Sequence, residues 1–345
     1  MPNPTTAHST DTDDASQPLM HSDTTREPLI PSSSRSPPSD GAAAPADESS
    51  ATPGLFIWAL TVSACISGLL FGFDTGVISA TLVSVGADLS ARPLATLDKA
   101  LVTAATALFA GLAAPVSGLL ADACGRRSVV LGADVLFVLG ALAQAAAGEV
   151  WVMVVGRAVV GLAVGSASFV VPLYIGELAP ATWRGRLVTI VALFITGGQV
   201  VAYVIGWLFS RMPGGWRWMV GLGAVPAIVQ LLTLVYMPET PRWLIKHGDE
   251  DRARLVLRKV YGKDQEAIVK TIMIRVEKEI EEEEEAVSKT VHHSSGSTSG
   301  FKEHIIRMRD NFSELVTVPG HRRALIISCM LQGAQQLCGF VSQSL

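Results

Sequence analysis

Six stretches of the chain are apolar for about the 20 residues that a bilayer crossing requires. They fall near 55–80, 100–121, 128–147, 150–174, 187–209 and 217–237, and each predicts a membrane-spanning helix. A seventh apolar run opens at Ala324 and is still open at Leu345. Residues 1–53 are rich in Ser, Thr, Pro, Asp and Ala and lack apolar periodicity, which predicts a solvated, disordered tail. No apolar core follows the initial Met, so a cleaved signal peptide is not expected. Residues 238–323 are charged. Within them WLIKHGDEDRARLVLRKVYG predicts one amphipathic helix, and Ile268, Ile272, Val276 and Ile280 at four-residue spacing predict a second. The acidic run Glu281–Glu285 reads as a solvated helix face, with a basic partner as the alternative. The expected organisation is a tail (1–53), a six-span bundle (54–237), a helical linker (238–323) and the start of a seventh span (324–345). The fold class is an all-α membrane protein.

Composition agrees. The chain is 49% hydrophobic and 17% charged, with a mean hydropathy of +0.39. That is too apolar for a soluble domain of ordinary composition. A net charge of −4 gives no footprint for nucleic acid. Cys65, Cys124, Cys329 and Cys338 lack metal-type spacing, and a disulfide framework is not expected. Basic loops orient the bundle: Arg126-Arg127 lies between spans 2 and 3, and Arg184-Gly185-Arg186 between spans 4 and 5. Arg92, Lys99, Arg211 and Arg217 give weaker contrary signals. The positive-inside rule then places the N-terminus, the basic loops and the 238–323 linker in the cytoplasm. That placement removes Asn311-Phe312-Ser313 as a glycosylation acceptor.

Asp74 is the only charge in the apolar run 55–83. A carboxylate at that depth costs about 2.5–3.5 kcal/mol on insertion scales. Gly68, Gly72 and Gly76 recur every four residues on the same span, a ridge that lets a neighbouring helix approach closely. Asp74 lies two residues past Gly72, about 200° round the helix, so it faces away from that ridge. Two readings stand: a proton-titrating carboxylate facing a cavity, and a structural ion pair within the bundle. Arg157 on span 4 is the partner either would use, with Gly161 one turn on leaving room beside the guanidinium; the alternative is an arginine that snorkels to the interface. Gln199 on span 5, and Gln332, Gln335 and Gln336 on span 7, offer amides that can pair with vicinal hydroxyls. They can equally serve as interhelical hydrogen-bond glue. No nucleophile–base pairing, phosphate loop or metal cluster points to an enzyme.

Four motifs in order carry a resemblance. GLLADACGRR (118–127) resembles the loop signature of the major facilitator superfamily. PLYIGELAP (172–180) with Arg184-Gly185, PETPRWL (238–244) and QQLCG (335–339) resemble motifs of its sugar porter family. The stretches FGFDTGVISATLV, VGLAVGSASFVVPLYIGELAP and LFITGGQVVAYVIGW resemble those of fungal myo-inositol transporters. The resemblance implies twelve spans in two six-helix bundles, of which this chain holds the N-terminal bundle, the linker and the opening of span 7. It implies rocker-switch alternating access around a site near the midplane. By the same resemblance Asp74 is the proton-coupling acid and Arg157 its partner, and Gln199, Gln335 and Gln336 bind the ligand's hydroxyls. Asp122, Arg126, Arg127, Glu177, Arg184, Glu239 and Arg242 form a cytoplasmic gate latching the outward-facing state. No cofactor is implied; the expected partners are a polyol or sugar, a proton and the lipid bilayer, and the expected location is the plasma membrane.

Two positions depart from the family pattern. Ala123 stands where a basic residue usually follows the Asp of the loop signature, and Val341 where Asn usually follows the span 7 motif. The familiar sequence stops at Val341, four residues before the end. Val341-Ser342 can be encoded by a splice-donor-like sequence, so a retained intron or gene-model error is one expectation for that stop. The function expected is proton-coupled symport of a polyol, myo-inositol foremost. The alternatives are another sugar transporter, a non-transporting nutrient sensor, or an inactive fragment.

Overall fold

The computed structural model describes residues 54–262, 265–291, 317 and 319–335, with only the backbone at 55, 286–291, 319 and 335. The 1–53 tail, Asn311, Gln336 and the end of the expected seventh span lie outside the described residues. Every regular element among the described residues is a helix. Five long helices come first: α1 (Leu55–Ser84), α2 (Thr96–Cys124), α3 (Arg126–Ala145), α4 (Val150–Leu178) and α5 (Ala181–Phe209). All but α3 are longer than the apolar stretches that predict them, because the helical backbone continues past the hydrocarbon-facing residues into polar ends. α2, for example, starts at Thr96, where the Asp98 carboxylate accepts from the Ala95 N–H at 3.0 Å and pairs with Arg92 at 2.9 Å.

The sixth span is not one helix. It is divided into α6 (Gly215–Gly221) and α7 (Ala224–Val235). Pro226 has no N–H to give the Leu222 carbonyl, which accepts instead from Val225 at 3.1 Å. Across the break the segment Gly215–Val235 remains long and apolar enough to cross a membrane, as do α1 to α5, making six such segments among the described residues.

Small residues set the helix contacts. The ridge on α1 lies against α5: a Cβ on Gly72 would fall 1.8 Å from the Ile195 carbonyl oxygen, and one on Gly68 2.7 Å from that of Val191. Gly198 of α5 returns the contact against the Leu69 carbonyl at 2.2 Å. On α4, Gly161 and Gly165 meet the backbone of α2 at Thr106 and Ala110. Gly161 was expected to make room for the Arg157 guanidinium. It serves α2 instead, because the Arg157 side chain leaves α4 toward α1 while its carbonyl accepts from Thr106 Oγ1 at 3.2 Å. Gly140 and Gly156 bring α3 and α4 together in the same manner.

The linker helices dock on one end of the bundle. The single amphipathic helix expected over 243–262 is two, α8 (Pro241–Lys246) and α9 (Glu250–Tyr261). Gly248, at φ +76°, turns the chain between them, and the Asp249 side chain caps α9 through the Arg252 N–H at 3.3 Å. Leu244, Ala253, Val256 and Val260 then join Tyr174, Ile175, Leu178 and Leu234 in one apolar cluster. α10 (Glu266–Val291) buries Ile268, Ile272 and Ile280, with Val276 partly covered, as the four-residue spacing predicts. Its acidic run is exposed, yet Glu283 is ion-paired with Arg242 of α8, so the run is not only a solvated face. The last described helix, α11 (Pro319–Gln335), starts five residues before the apolar run it leads into.

Two outcomes follow. Gly72→Ala should destabilise the detergent-solubilised protein by about 1–3 kcal/mol through overpacking, while Gly132→Ala, with nothing within 4 Å of its Cβ, should be neutral or gain up to about 1 kcal/mol of helix propensity; thermal unfolding of both compares them. Glu266 accepts from Arg258 at 2.8 Å and Arg254 at 2.7 Å, and these bonds push its carboxyl down to about 2. A carboxyl depressed on folding contributes stability that is whole above its unfolded value of 4.5 and fades as pH falls through about 2. Labels on exposed Leu255 and Ile274 should report α9 and α10 separating over that window, and Glu266→Gln should abolish the pH dependence.

Candidate functional site

Asp74 and Arg157 are brought together as the two ends of an ion pair between α1 and α4. The glycine ridge fixes the rotation of α1, turning Gly72 to α5 and Asp74 the other way. Asp74 is 5% exposed and Arg157 2%, so the arginine does not snorkel. The adjoining void holds only about 10 Å³, on the order of one water. Among the described residues the carboxylate is closed off from solvent. Arg157 Nε has no hydrogen-bond partner among the described residues.

Three further polar side chains inside the bundle escaped the sequence reading. Asp134 of α3 is 2% exposed, and its Oδ2 has no partner among the described residues. Gln144 of α3 and Gln230 of α7 are buried, and Gln230 donates to Ser67 Oγ on α1. The signal that singled out Asp74, one carboxylate in an apolar run, was equally present at Asp134 in VVLGADVLFVLG.

Gln199 is not joined to this pair. Its backbone packs on Gly72 and Gly76, on the α5 side of α1. Gln335 lies at the end of α11.

The seven residues expected to form a gate separate into three groups. Arg126, at the start of α3, donates to Glu177 Oε1 of α4 at 3.0 Å, to Asp122 Oδ1 of α2 at 3.0 Å and to the Ala121 carbonyl at 3.0 Å. Glu239, after α7, accepts the backbone N–H groups of Arg126 at 2.9 Å and Arg127 at 3.1 Å. Those are unpaired donors at the positive end of α3. In return the Arg127 side chain donates to the Leu234 and Val235 carbonyls at 3.0 and 2.6 Å, at the negative end of α7. The two helix termini thus clamp each other with opposite charges. Gly125 lies between them at φ +95°, and a Cβ there would fall 2.4 Å from Glu239 Oε2, so only glycine fits. Tyr174 extends the clamp, donating to the Pro238 carbonyl at 2.7 Å. Arg242 belongs elsewhere: it pairs with Glu279 at 3.6 Å and with Glu283, both on α10. Arg184 forms no ion pair among the described residues. It faces, with Glu177, Arg242 and Glu279, a polar cavity of about 740 Å³ under α10.

Known proteins resemble the chain closely. The family model described as Sugar (and other) transporter matches residues 60–345. Myo-inositol transporter 1 of Cryptococcus neoformans is 45% identical over 285 residues, 83% of this chain and 47% of the relative. Myo-inositol transporter 1 of Candida albicans is 41% identical over 86% of this chain and 50% of its own length. The proton myo-inositol cotransporter of Homo sapiens is 39% identical over 82% of this chain and 40% of its own. The chain therefore spans about half the length of the curated relatives it matches. Among solved structures, the major facilitator superfamily proton:xylose symporter XylE superposes with a TM-score of 0.63 at 27% identity, covering 70% of this chain and 56% of that one. Its partially occluded inward-open form from E. coli gives 0.61 at 29% identity, over 66% and 58%. A six-span helical bundle, a charge clamp at one end, a family match over most of the length and a major-facilitator neighbour agree: the chain belongs to the sugar (and other) transporter family and is a multi-pass integral membrane protein.

Proposed function

We propose that the complete protein carrying this sequence couples entry of a polyol, myo-inositol foremost, to entry of a proton by alternating access. The observation that carries this reading is the buried Asp74–Arg157 pair. Removing one partner of a buried pair costs about 3–5 kcal/mol, because the other charge is left uncompensated. Protonating Asp74 is such a removal, and it loosens the contact between α1 and α4. Driving a two-state equilibrium from 1:99 to 99:1 takes about 5.5 kcal/mol. A proton therefore supplies most of the bias between two packings, and a bound ligand the remainder.

In this reading Gln199, Gln335 and Gln336 hold the ligand's hydroxyls, and their uncharged amides suit a neutral, hydroxyl-rich molecule. Asp122, Arg126, Arg127, Glu177 and Glu239 act as the cytoplasmic latch, because the Glu239–α3 and Arg127–α7 contacts depend on the arrangement of the helix ends they join. Arg242 and Arg184 contribute through α10 and the cavity beneath it. The clamp end faces the cytoplasm, and the protein resides in the plasma membrane. The relatives, two myo-inositol transporters and a proton myo-inositol cotransporter, favour this substrate and this ion.

Uptake of radiolabelled myo-inositol by cells expressing the complete protein provides the test. Asp74→Asn should lower pH-driven accumulation at least tenfold at equal membrane abundance. Undiminished pH-dependent accumulation would overturn the proton role. Uptake displaced by hexoses but not by polyols would overturn the substrate.

A further inference from the structure

The clamp end, the ion pair and the hydroxyl-binding amides leave several buried polar atoms unused, and two of them are complementary. Among the described residues, Arg157 Nε–H is a donor without an acceptor, and Gln144 Oε1 is an acceptor without a donor. Both side chains are nearly fully buried, at 2% and 1% exposure. Gln144 lies against Gly156, the residue before Arg157: a Cβ on Gly156 would fall 2.6 Å from Gln144 Cγ. Gln144 and Asp74 also share the wall of one void of about 10 Å³, closed by Phe137, Val160 and Val220. Gln144 thus packs on the turn of α4 that carries Arg157 and shares a void with the carboxylate that holds it.

We propose that Gln144 is a positioning residue of the coupling site, accepting the Arg157 guanidinium when a proton neutralises Asp74. This rests on the proposed function above. The step moves one proton onto the Asp74 carboxylate and breaks one ion pair. Arg157 keeps its proton throughout and exchanges one acceptor for another. Without such an acceptor the guanidinium would be buried, charged and unpaired, the costly case for any ion away from water. Gln144 is uncharged, so it can receive Arg157 without competing for it while Asp74 is ionised.

Few other titratable groups bear on the step. Among the residues lining the void, α1 contributes Asp74 alone, α3 contributes none, and α4 and α6 contribute only apolar atoms at Val160 and Val220. Asp134 is ten residues from Gln144 on α3, about 15 Å along the helix. It lines a separate void with Ser67, on the other side of Phe137.

The test is the pH profile of initial myo-inositol uptake by the complete protein. Gln144→Met keeps the volume and removes the acceptor. It should shift the pH of half-maximal uptake toward acid by about one unit, a tenfold loss in proton affinity. Gln144→Glu restores an oxygen and should move the profile to the alkaline side of the wild type, since a second carboxylate draws Arg157 away from Asp74. A wild-type profile with a merely lower maximal rate in Gln144→Met would overturn the proposal, leaving Gln144 as packing. If Gln144→Met fails to reach the membrane, an unshifted profile in Gln144→Glu overturns it equally. Accumulation that survives Asp74→Asn would instead remove the proton reading itself, which separates the two failures.

Discussion

The whole bundle depends on how closely its helices approach where no hydrophobic effect drives them together. In lipid the surroundings of a helix are as apolar as the helix, so contact must come from packing and from polar pairing. α1 meets α5 through Gly68, Gly72 and Gly76, and α4 meets α2 through Gly161 and Gly165. At these points backbone touches backbone. A helix seated so closely has no freedom to rotate, and that fixed rotation aims Asp74 at Arg157. The ion pair is thus a consequence of the glycines: a bulkier residue at Gly72 would shift α1 and separate the charges without touching either.

At the clamp end the same economy uses backbone dipoles. Glu239 serves the start of α3 and Arg127 serves the end of α7, so each helix satisfies the other's unpaired terminal groups. The arrangement is specific because its partners are N–H and C=O groups with fixed directions, and it holds only while the two ends keep their relation. Arg126 adds a second layer, tying α2 and α4 to the same point through Asp122 and Glu177.

Much of this is legible in the chain. Spans declare themselves by hydropathy, and the Asp74–Arg157 pair follows from two lone charges in apolar surroundings. The four-residue glycine spacing gave the direction of Asp74 correctly. What was not legible has identifiable causes. Apolar content cannot mark where a helix ends in polar surroundings, so α2 and α4 are longer than their cores. The Pro226 break lies in a run whose hydropathy never falters. Gly161 was assigned to the wrong neighbour because spacing along one helix does not say which other helix lies opposite. Asp134 carries the signal of Asp74, one carboxylate in an apolar run, but sits in no motif, and for Gln144 and Gln230 spacing does not say which amides of an apolar helix turn inward. Of the amides proposed to hold the ligand, Gln199 packs its backbone on the α5 side of α1, a placement that spacing within single spans cannot reveal.

The distance in sequence between the paired charges has a consequence for biosynthesis. Arg157 is 83 residues downstream of Asp74. At about 5–20 residues per second, roughly 4–17 s pass between the emergence of one and the other from the ribosome. For that interval the first span must either wait beside the insertion machinery or sit in lipid with its carboxylate unmatched. Its glycine ridge cannot help, because α5 is made later still. The order of synthesis therefore delays the first span, and the arrival of the fourth and fifth spans is what allows it to settle.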